Sequence, residues 1–402
     1  MESRSELRVD ALSELLRLPE SERDARGLAH TPAEIAQQPD AWITTFDLFR
    51  KKQPEILEFL SQAGFAATAG NKPTVFLIGA GTSDYIGQSL TYLLRQCWHC
   101  EVIAVPSTDL LTHMDDVMIP ERKYLWISFS RSGDSPEGVA VLERARKISA
   151  DIHHLVVSCN ANGRMIRESL GDPRVLGICL DDAVNDRGLA MTSSFSNMVV
   201  FGHCLAHVDD LARYERVLWE MVQAGKNLLP RAADCAAALA KEGYTKACFV
   251  GSGPLRAVTK ECALKLLELT AGKILTMSES VLGLRHGPMA ALDQATLFVC
   301  FISGNRRIQQ YERDLLDEIG QKQLVRSRIV VAGGEISRMN SFKEHYFMPA
   351  TPALADDYRP AVDVIFGQLL GLFFSLQWNL RPDCPSPNGA ISRVVQNVSI
   401  HS

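Results

Sequence analysis

Four apolar runs punctuate the middle of the chain: Thr74-Val75-Phe76-Leu77-Ile78, Glu101-Val102-Ile103-Ala104-Val105, Tyr124 to Phe129, and His154-Leu155-Val156-Val157-Ser158. Each is continuous rather than alternating, the pattern of a strand covered on both faces. Segments of helical periodicity, such as Tyr85 to Cys97, lie between them. This alternation predicts a parallel α/β sheet. Upstream, the first 60 residues read as helical and polar, and Thr31-Pro32-Ala33-Glu34 supplies a cap, a first-turn proline and an early acid. The longest apolar tract, Val364 to Leu376, is too short to cross a bilayer and predicts a buried or interface helix.

The strand pattern occurs twice. Val75-Phe76-Leu77-Ile78-Gly79-Ala80-Gly81 matches Cys248-Phe249-Val250-Gly251-Ser252-Gly253 with the glycines 172 positions apart. Leu125-Trp126-Ile127-Ser128-Phe129 matches Leu297-Phe298-Val299-Cys300-Phe301 at the same offset, and Leu155-Val156-Val157 matches Ile329-Val330-Val331 at 174. Three matches in one order and almost one register predict two tandem doubly wound parallel-sheet domains. The expected division is a helical extension over 1–50, a first domain over 51–215, a second over 216–380 and a tail over 381–402, with the junction in a helical stretch around 210–235.

At 402 residues the chain is long for one core, which agrees with two domains. A net charge of −5 with interspersed signs gives no footprint for nucleic acid or a membrane surface. Residues Met1 to Leu7 lack a signal-peptide core, and ten scattered cysteines point to reduced thiols in the cytoplasm.

The chemistry concentrates in a few turns. Ser130-Arg131-Ser132-Gly133-Asp134-Ser135 follows a predicted strand and precedes a helix beginning at Pro136, with Ser135 as its cap. Hydroxyls, a guanidinium and backbone N–H groups at a helix N-terminus suit an anion, although a capped turn needs only one hydroxyl. Gly79-Ala80-Gly81-Thr82-Ser83 ends the first strand, where Asp84 replaces the third glycine of a dinucleotide fingerprint. Neighbouring parallel strands open into one crevice, so Gly81, Thr82, Ser83, Ser130, Arg131, Ser132 and Ser135 are expected to surround one phosphate. Cys97-Trp98-His99-Cys100 has metal or redox spacing but no second ligand pair follows, so no metal is expected. His203 and His207 read as a packing or surface pair, and His153-His154 as unremarkable. Glu261, Lys265 and Glu268 share a helical face, which by spacing alone suits a solvated ion pair. The loop Gly283-Leu284-Arg285-His286-Gly287-Pro288 then presents one histidine, and Glu268, Lys265 and His286 make a candidate acid–base set.

These residues together resemble the paired sugar isomerase (SIS) domains. Ala41-Trp42-Ile43, Pro106-Ser107-Thr108-Asp109-Leu110, Asp186 to Ser194 and Arg393-Val394-Val395-Gln396 bring the chain closest to the AgaS-type group of amino-sugar catabolism. The resemblance implies a hexose 6-phosphate or hexosamine 6-phosphate substrate and no cofactor. In the related isomerase domain of glucosamine-6-phosphate synthase, hydroxyls matching Ser83, Ser130, Ser132 and Ser135 hold the phosphate, and the glutamate matching Glu268 moves the proton between carbons 1 and 2. The histidine matching His286 assists ring opening from the other subunit of a dimer. Ala190, Thr192, Ser193 and Gln396 are the expected sugar contacts. Gln396 stands where that relative has a lysine, which leaves a lysine Schiff base there without its residue. The AgaS likeness implies deamination of galactosamine 6-phosphate to tagatose 6-phosphate. Plain aldose–ketose isomerisation and non-catalytic sugar-phosphate sensing are the alternatives. No helix-turn-helix or basic stripe favours the sensor.

Overall fold

Each of the two sets of apolar runs closes into a five-stranded parallel sheet, and the two sheets share one strand order. The computed structural model describes residues 9–65, 72–148, 151–333, 344–347, 354–395 and 398–401. Four helices come first: α1 (Ala11–Leu16), α2 (Glu20–Arg26), α3 (Thr31–Ala36) and α4 (Gln38–Leu60). The first sheet then runs β1 (Thr74–Gly79), α5 (Thr82–Trp98), β2 (Val102–Pro106), α6 (Ser107–Val117), β3 (Tyr124–Ser130), α7 (Pro136–Ile148), β4 (Ile152–Ser158), α8 (Arg164–Arg167) and β5 (Val175–Cys179), followed by α9 (Ser193–Ala206). After α10 (Leu211–Leu239) come β6 (Lys246–Gly251), α11 (Leu255–Leu269), β7 (Leu275–Ser280), β8 (Thr296–Ile302), α12 (Arg306–Gln321), β9 (Arg328–Ala332), β10 (Glu344–Phe347) and α13 (Pro360–Gln377).

The orders are β2-β1-β3-β4-β5 and β7-β6-β8-β9-β10, so each element of one sheet has its counterpart in the other. Strands β1, β3 and β8 are buried along their whole length, as continuous apolar runs require. Helices α5 and α11 are counterparts and pack against each other. Gln88 and Lys260, 172 positions apart, touch across that contact, with Lys260 Nζ donating to Gln88 Oε1 at 2.7 Å. Equivalent residues meet each other only where a pseudo-twofold axis passes, so the two domains face each other across α5 and α11.

The first 60 residues are helical but not simply polar. Trp42, Phe46, Phe49, Ile56 and Phe59 on α4 are buried; α4 packs on α9 and α10, and Phe59 meets His153 of β4. Their spacing lays them on one face of a 3.6-residue helix, where the charged residues between them mask the stripe in a linear reading. Residue 50 lies inside α4 and residues 215 and 216 inside α10. The apolar tract Val364 to Leu376 forms most of α13, which packs on α9, α10 and α11. By length and composition α13 could cross a membrane, but 89% of it is buried inside the protein.

Two histidines are fully buried in this core. His154 lies on β4 with its ring edge-on to Trp126 at 5.5 Å, and His203 lies on α9 between Tyr214 and Tyr358. Burial first, then Arg174 for His154 and His207 for His203, pulls both down to about 3. The unfolded chain protonates them near 6.5 while the native state does not, so each makes stability fall as pH drops below 6.5. The buried carboxyls of Glu34, Glu261 and Glu312, raised to about 7, 8 and 7, act with the opposite sign. Comparing the protein with a His154→Phe variant isolates one histidine. Between pH 7 and pH 5, denaturant midpoints should show the variant gaining about 2 kcal/mol relative to its parent.

Candidate active site

The Ser130–Ser135 loop turns from β3 into α7 through Gly133, whose φ of +65° suits glycine. A Cβ there would also stand 3.0 Å from Ser158 Oγ and 3.1 Å from Gly163 Cα. The turn from β4 to α8 braces this loop from behind. Asn160 Nδ2 donates to Ser132 O at 2.8 Å, Met165 N to Gly133 O at 2.9 Å, and Arg164 N to Asp134 Oδ1 at 2.8 Å. In front, a cavity of about 150 Å³ is lined by Ser83, Ser107, Ser128, Ser130, Ser132 and Ser135. Because β2, β1 and β3 are adjacent, the N-termini of α5, α6 and α7 all open at this end of the sheet. Hydroxyls and helix N-termini so gathered suit an anion held by hydrogen bonds.

Ser107 was not among the residues expected here. It is the first residue of α6, directly after the β2 run, and so has the same strand-then-helix placement as Ser83. That shared placement is the signal in the sequence that would have found it.

Arg131 is 6% exposed and separates this cavity from a larger one. Its guanidinium donates to Leu189 O at 3.0 Å, Gly188 O at 3.3 Å and Arg393 O at 2.5 Å, so it ties the tail to the 188–189 loop. Arg393 returns the contact, donating to Asp186 O at 2.7 Å and Asn185 Oδ1 at 2.6 Å. Asp186 is buried and accepts from Thr192 N and Oγ1, Ser193 N, and Ser194 N and Oγ. Glu34 accepts from the backbone of Arg187 and Gly188, and burial followed by Asp186 raises its carboxyl to about 7. Of the expected sugar contacts, Thr192 and Ser193 are therefore fully buried, and Ala190 nearly so, while Leu189 and Met191 line the cavities instead. Gln396 lies outside the described residues.

The larger cavity, about 900 Å³, adjoins the first along Ala80, Arg131, Met191, Arg393 and Val395. Gly81, Thr82, Lys265 and Glu268 line it, with the tail over 386–395 opposite. The Glu261, Lys265 and Glu268 face is not a solvated ion pair. Lys265 is 1% exposed and Glu261 fully buried, because α11 turns this face toward α5. Lys265 Nζ lies 2.6 Å from Glu268 Oε2, 3.5 Å from Glu261 Oε1, and donates to Thr82 Oγ1 at 3.1 Å. Thr82 in turn donates to Glu261 Oε1 at 3.2 Å, so its hydroxyl serves this group.

Burial pushes Glu261 up to about 8 against the pull of Lys265. Burial works against the Lys265 ammonium too, but the two carboxyls outweigh it and hold its pKa above the ordinary value. Burial thus favours a proton on Glu261, while the carboxyl neighbours favour the ammonium on Lys265. Glu268, one-quarter exposed, is the carboxylate facing both the ammonium and the cavity. A carboxylate so placed can take and return a proton within the cavity.

His286 follows a short turn after β7, is exposed, and lines neither cavity. Cys97 and Cys100 are free thiols at the end of α5, with Cys100 raised to about 11 by burial. Among the described residues no group of three or more His, Cys, Asp or Glu side chains is placed to hold a metal.

No protein-family model matches the chain. A Streptomyces coelicolor protein provisionally described as D-galactosamine-6-phosphate deaminase AgaS is 36% identical over 377 residues, spanning 93% of this chain and 95% of that protein. The D-galactosamine-6-phosphate deaminase AgaS of Escherichia coli is 32% identical over 377 residues, 92% of this chain and 95% of its own. The crystal structure of tagatose-6-phosphate ketose/aldose isomerase from Escherichia coli superposes with a TM-score of 0.84 at 29% identity, covering 92% of this chain and 96% of that one. With three hydroxyl-lined turns at one sheet end, a duplicated sheet and near-full-length identity above 30%, the chain belongs to the AgaS family of SIS-domain proteins.

Proposed function

We propose that the protein is an amino-sugar-phosphate deaminase that converts D-galactosamine 6-phosphate and water to D-tagatose 6-phosphate and ammonia. The observation that carries the reading is the joining of two unlike cavities, a small one lined by six serines and a larger one lined by Glu268 and Lys265. The phosphate anchors in the first and the sugar carbons extend past Arg131 into the second. In the open-chain sugar, Glu268 takes the proton from carbon 2 and delivers it to carbon 1. The carbon–nitrogen bond becomes a ketimine at carbon 2, and water adds there to release ammonia and leave the ketone. The Lys265 ammonium, 2.6 Å from Glu268, steadies the carboxylate between the two transfers.

In this reading His286, which lines neither cavity of its own chain, is supplied to the site of a second copy in a homodimer, where it assists ring opening. The reaction is the cleavage of a carbon–nitrogen bond by water, and its place is the cytoplasm. Likeness to a ketose/aldose isomerase favours one second reading, the same proton transfer through an enediol with every heteroatom retained. Ammonia release from galactosamine 6-phosphate tests the first reading. Equilibration of tagatose 6-phosphate with an aldose phosphate, without ammonia, selects the second.

The six serines give a sharper expectation for Ser107. A hydrogen bond to a charged group is worth about 1.5–3 kcal/mol, so Ser107→Ala should raise KM for phosphorylated sugars about 10-fold or more. The interaction exists in ground and transition states alike, so kcat should change little. An equal loss with an unphosphorylated analogue removes Ser107 from the phosphate.

A further inference from the structure

The second sheet has the same strand order as the first, and its crevice lies at the same end. The loop from β8 to α12, Ser303-Gly304-Asn305, is the counterpart of the anion-holding loop from β3 to α7. At the 172-residue offset Ser303 stands for Arg131 and Gly304 for Ser132. Both residues donate to one carboxylate from outside the sheet. Asp356 Oδ2 accepts from Ser303 Oγ, and Asp356 Oδ1 accepts from Gly304 N at 2.8 Å. The fully buried guanidinium of Arg359 approaches the same oxygen at 3.2 Å. Arg359 is fixed in turn by Asp363 at 2.7 Å and by the carbonyls of Ile302 and Val331 at the ends of β8 and β9. Of the other loop donors, Ser303 N reaches the buried side chain of Glu312 at 2.9 Å and Asn305 N turns back to Ser303 Oγ at 3.0 Å.

We infer that the second domain keeps an anion cradle whose ligand is the Asp356 carboxylate of the chain itself. A hydroxyl, a loop N–H and a guanidinium converge on it, the same donor types that an external oxyanion takes at the end of a parallel sheet. The duplicated fold therefore offers one crevice to a phosphorylated sugar and closes the other with its own anion. This explains how a loop lacking the serine cluster is held in the same conformational role. It also sets the binding stoichiometry at one phosphate per chain. The inference rests on the proposed function only in taking the first crevice as the phosphate site.

Truncating the internal ligand should convert the second cradle into one that accepts inorganic phosphate. Asp356→Ala, made in a Ser132→Ala background to weaken the first site, should melt below its background in chloride. Phosphate at matched ionic strength should raise its melting temperature by about 2–4 °C, the shift expected for an anion well above its dissociation constant. The background protein should respond less. Equal responses in the two proteins overturn the inference. If Asp356→Ala does not fold, Asp356→Asn decides, since it keeps the shape and loses the charge: it should melt several degrees below the parent, and unchanged melting overturns the inference. Failure of the phosphate reading of the first crevice would appear separately, as parent and Ser132→Ala proteins responding alike to phosphate.

Discussion

Glu268→Gln should lower turnover by about 10²–10⁴-fold while leaving substrate affinity within a few-fold of the parent's. The amide preserves the shape and can still face Lys265 Nζ, now 2.6 Å from the carboxylate, but it cannot take a proton from carbon 2. The loss should therefore fall on kcat rather than KM, the signature of an interaction used in the transition state. Exchange of the carbon-2 proton with solvent should vanish in parallel. Near-normal turnover would exclude Glu268 as the base. The variant also tests the supply of His286 between subunits. Mixed with a His286→Asn protein, it should form heterodimers in which one site holds both native residues, so activity returns on mixing two inactive proteins. No recovery would place His286 outside the partner's site.

Lys265→Met should be the most destabilising single change in the site. Removing one member of a buried ionic group strands the others, at about 3–5 kcal/mol. Here Glu261 is fully buried and Glu268 keeps only a quarter of its exposure, so neither can recover its hydration in place. The cost has a predictable pH dependence. Glu261 already holds its proton up to about 8, and losing the neighbouring ammonium raises its pKa further. A carboxyl whose folded pKa lies above its unfolded value binds more protons in the native state, so stability falls with rising pH until the folded pKa is passed. The parent stops losing stability from this source near pH 8, whereas the variant continues to lose it. The gap between their denaturant midpoints should therefore widen above pH 8. Adding Glu261→Gln should recover much of the loss by removing the stranded acid, and a double variant no more stable than Lys265→Met would refute this account.

The serine turn illustrates how far local sequence reaches. A strand ending at Ser130, a glycine at a positive φ and a proline opening α7 follow from backbone preferences within a dozen residues. The gathering of these hydroxyls at one end of the sheet was accordingly legible, and the repeat carried its topology to both sheets. Ser107 lines the same cavity, but its turn, Pro106-Ser107-Thr108, lacks the glycines that mark the other two. Arg131 reads locally as a phosphate ligand, yet its partners are carbonyls at 188, 189 and 393. No short window contains them. Thr192 and Ser193 are instead held by a nearby group, the buried carboxylate of Asp186 six and seven residues upstream.

Charge and burial mark the boundary between the two levels. The period of apolar residues depends only on each segment's own geometry, so the sequence by itself determined the two parallel sheets, their repeat and the turns that end their strands. Whether Glu261, Lys265 and Glu268 form a wet ion pair or a dry proton-holding group depends on which helix covers them. The packing of α11 on α5 decided that, as the docking of Asp356 decided which of two like crevices remains open. Hydration is lost only when a distant part of the chain arrives, and electrostatics changes in strength and even in protonation state once the water is gone.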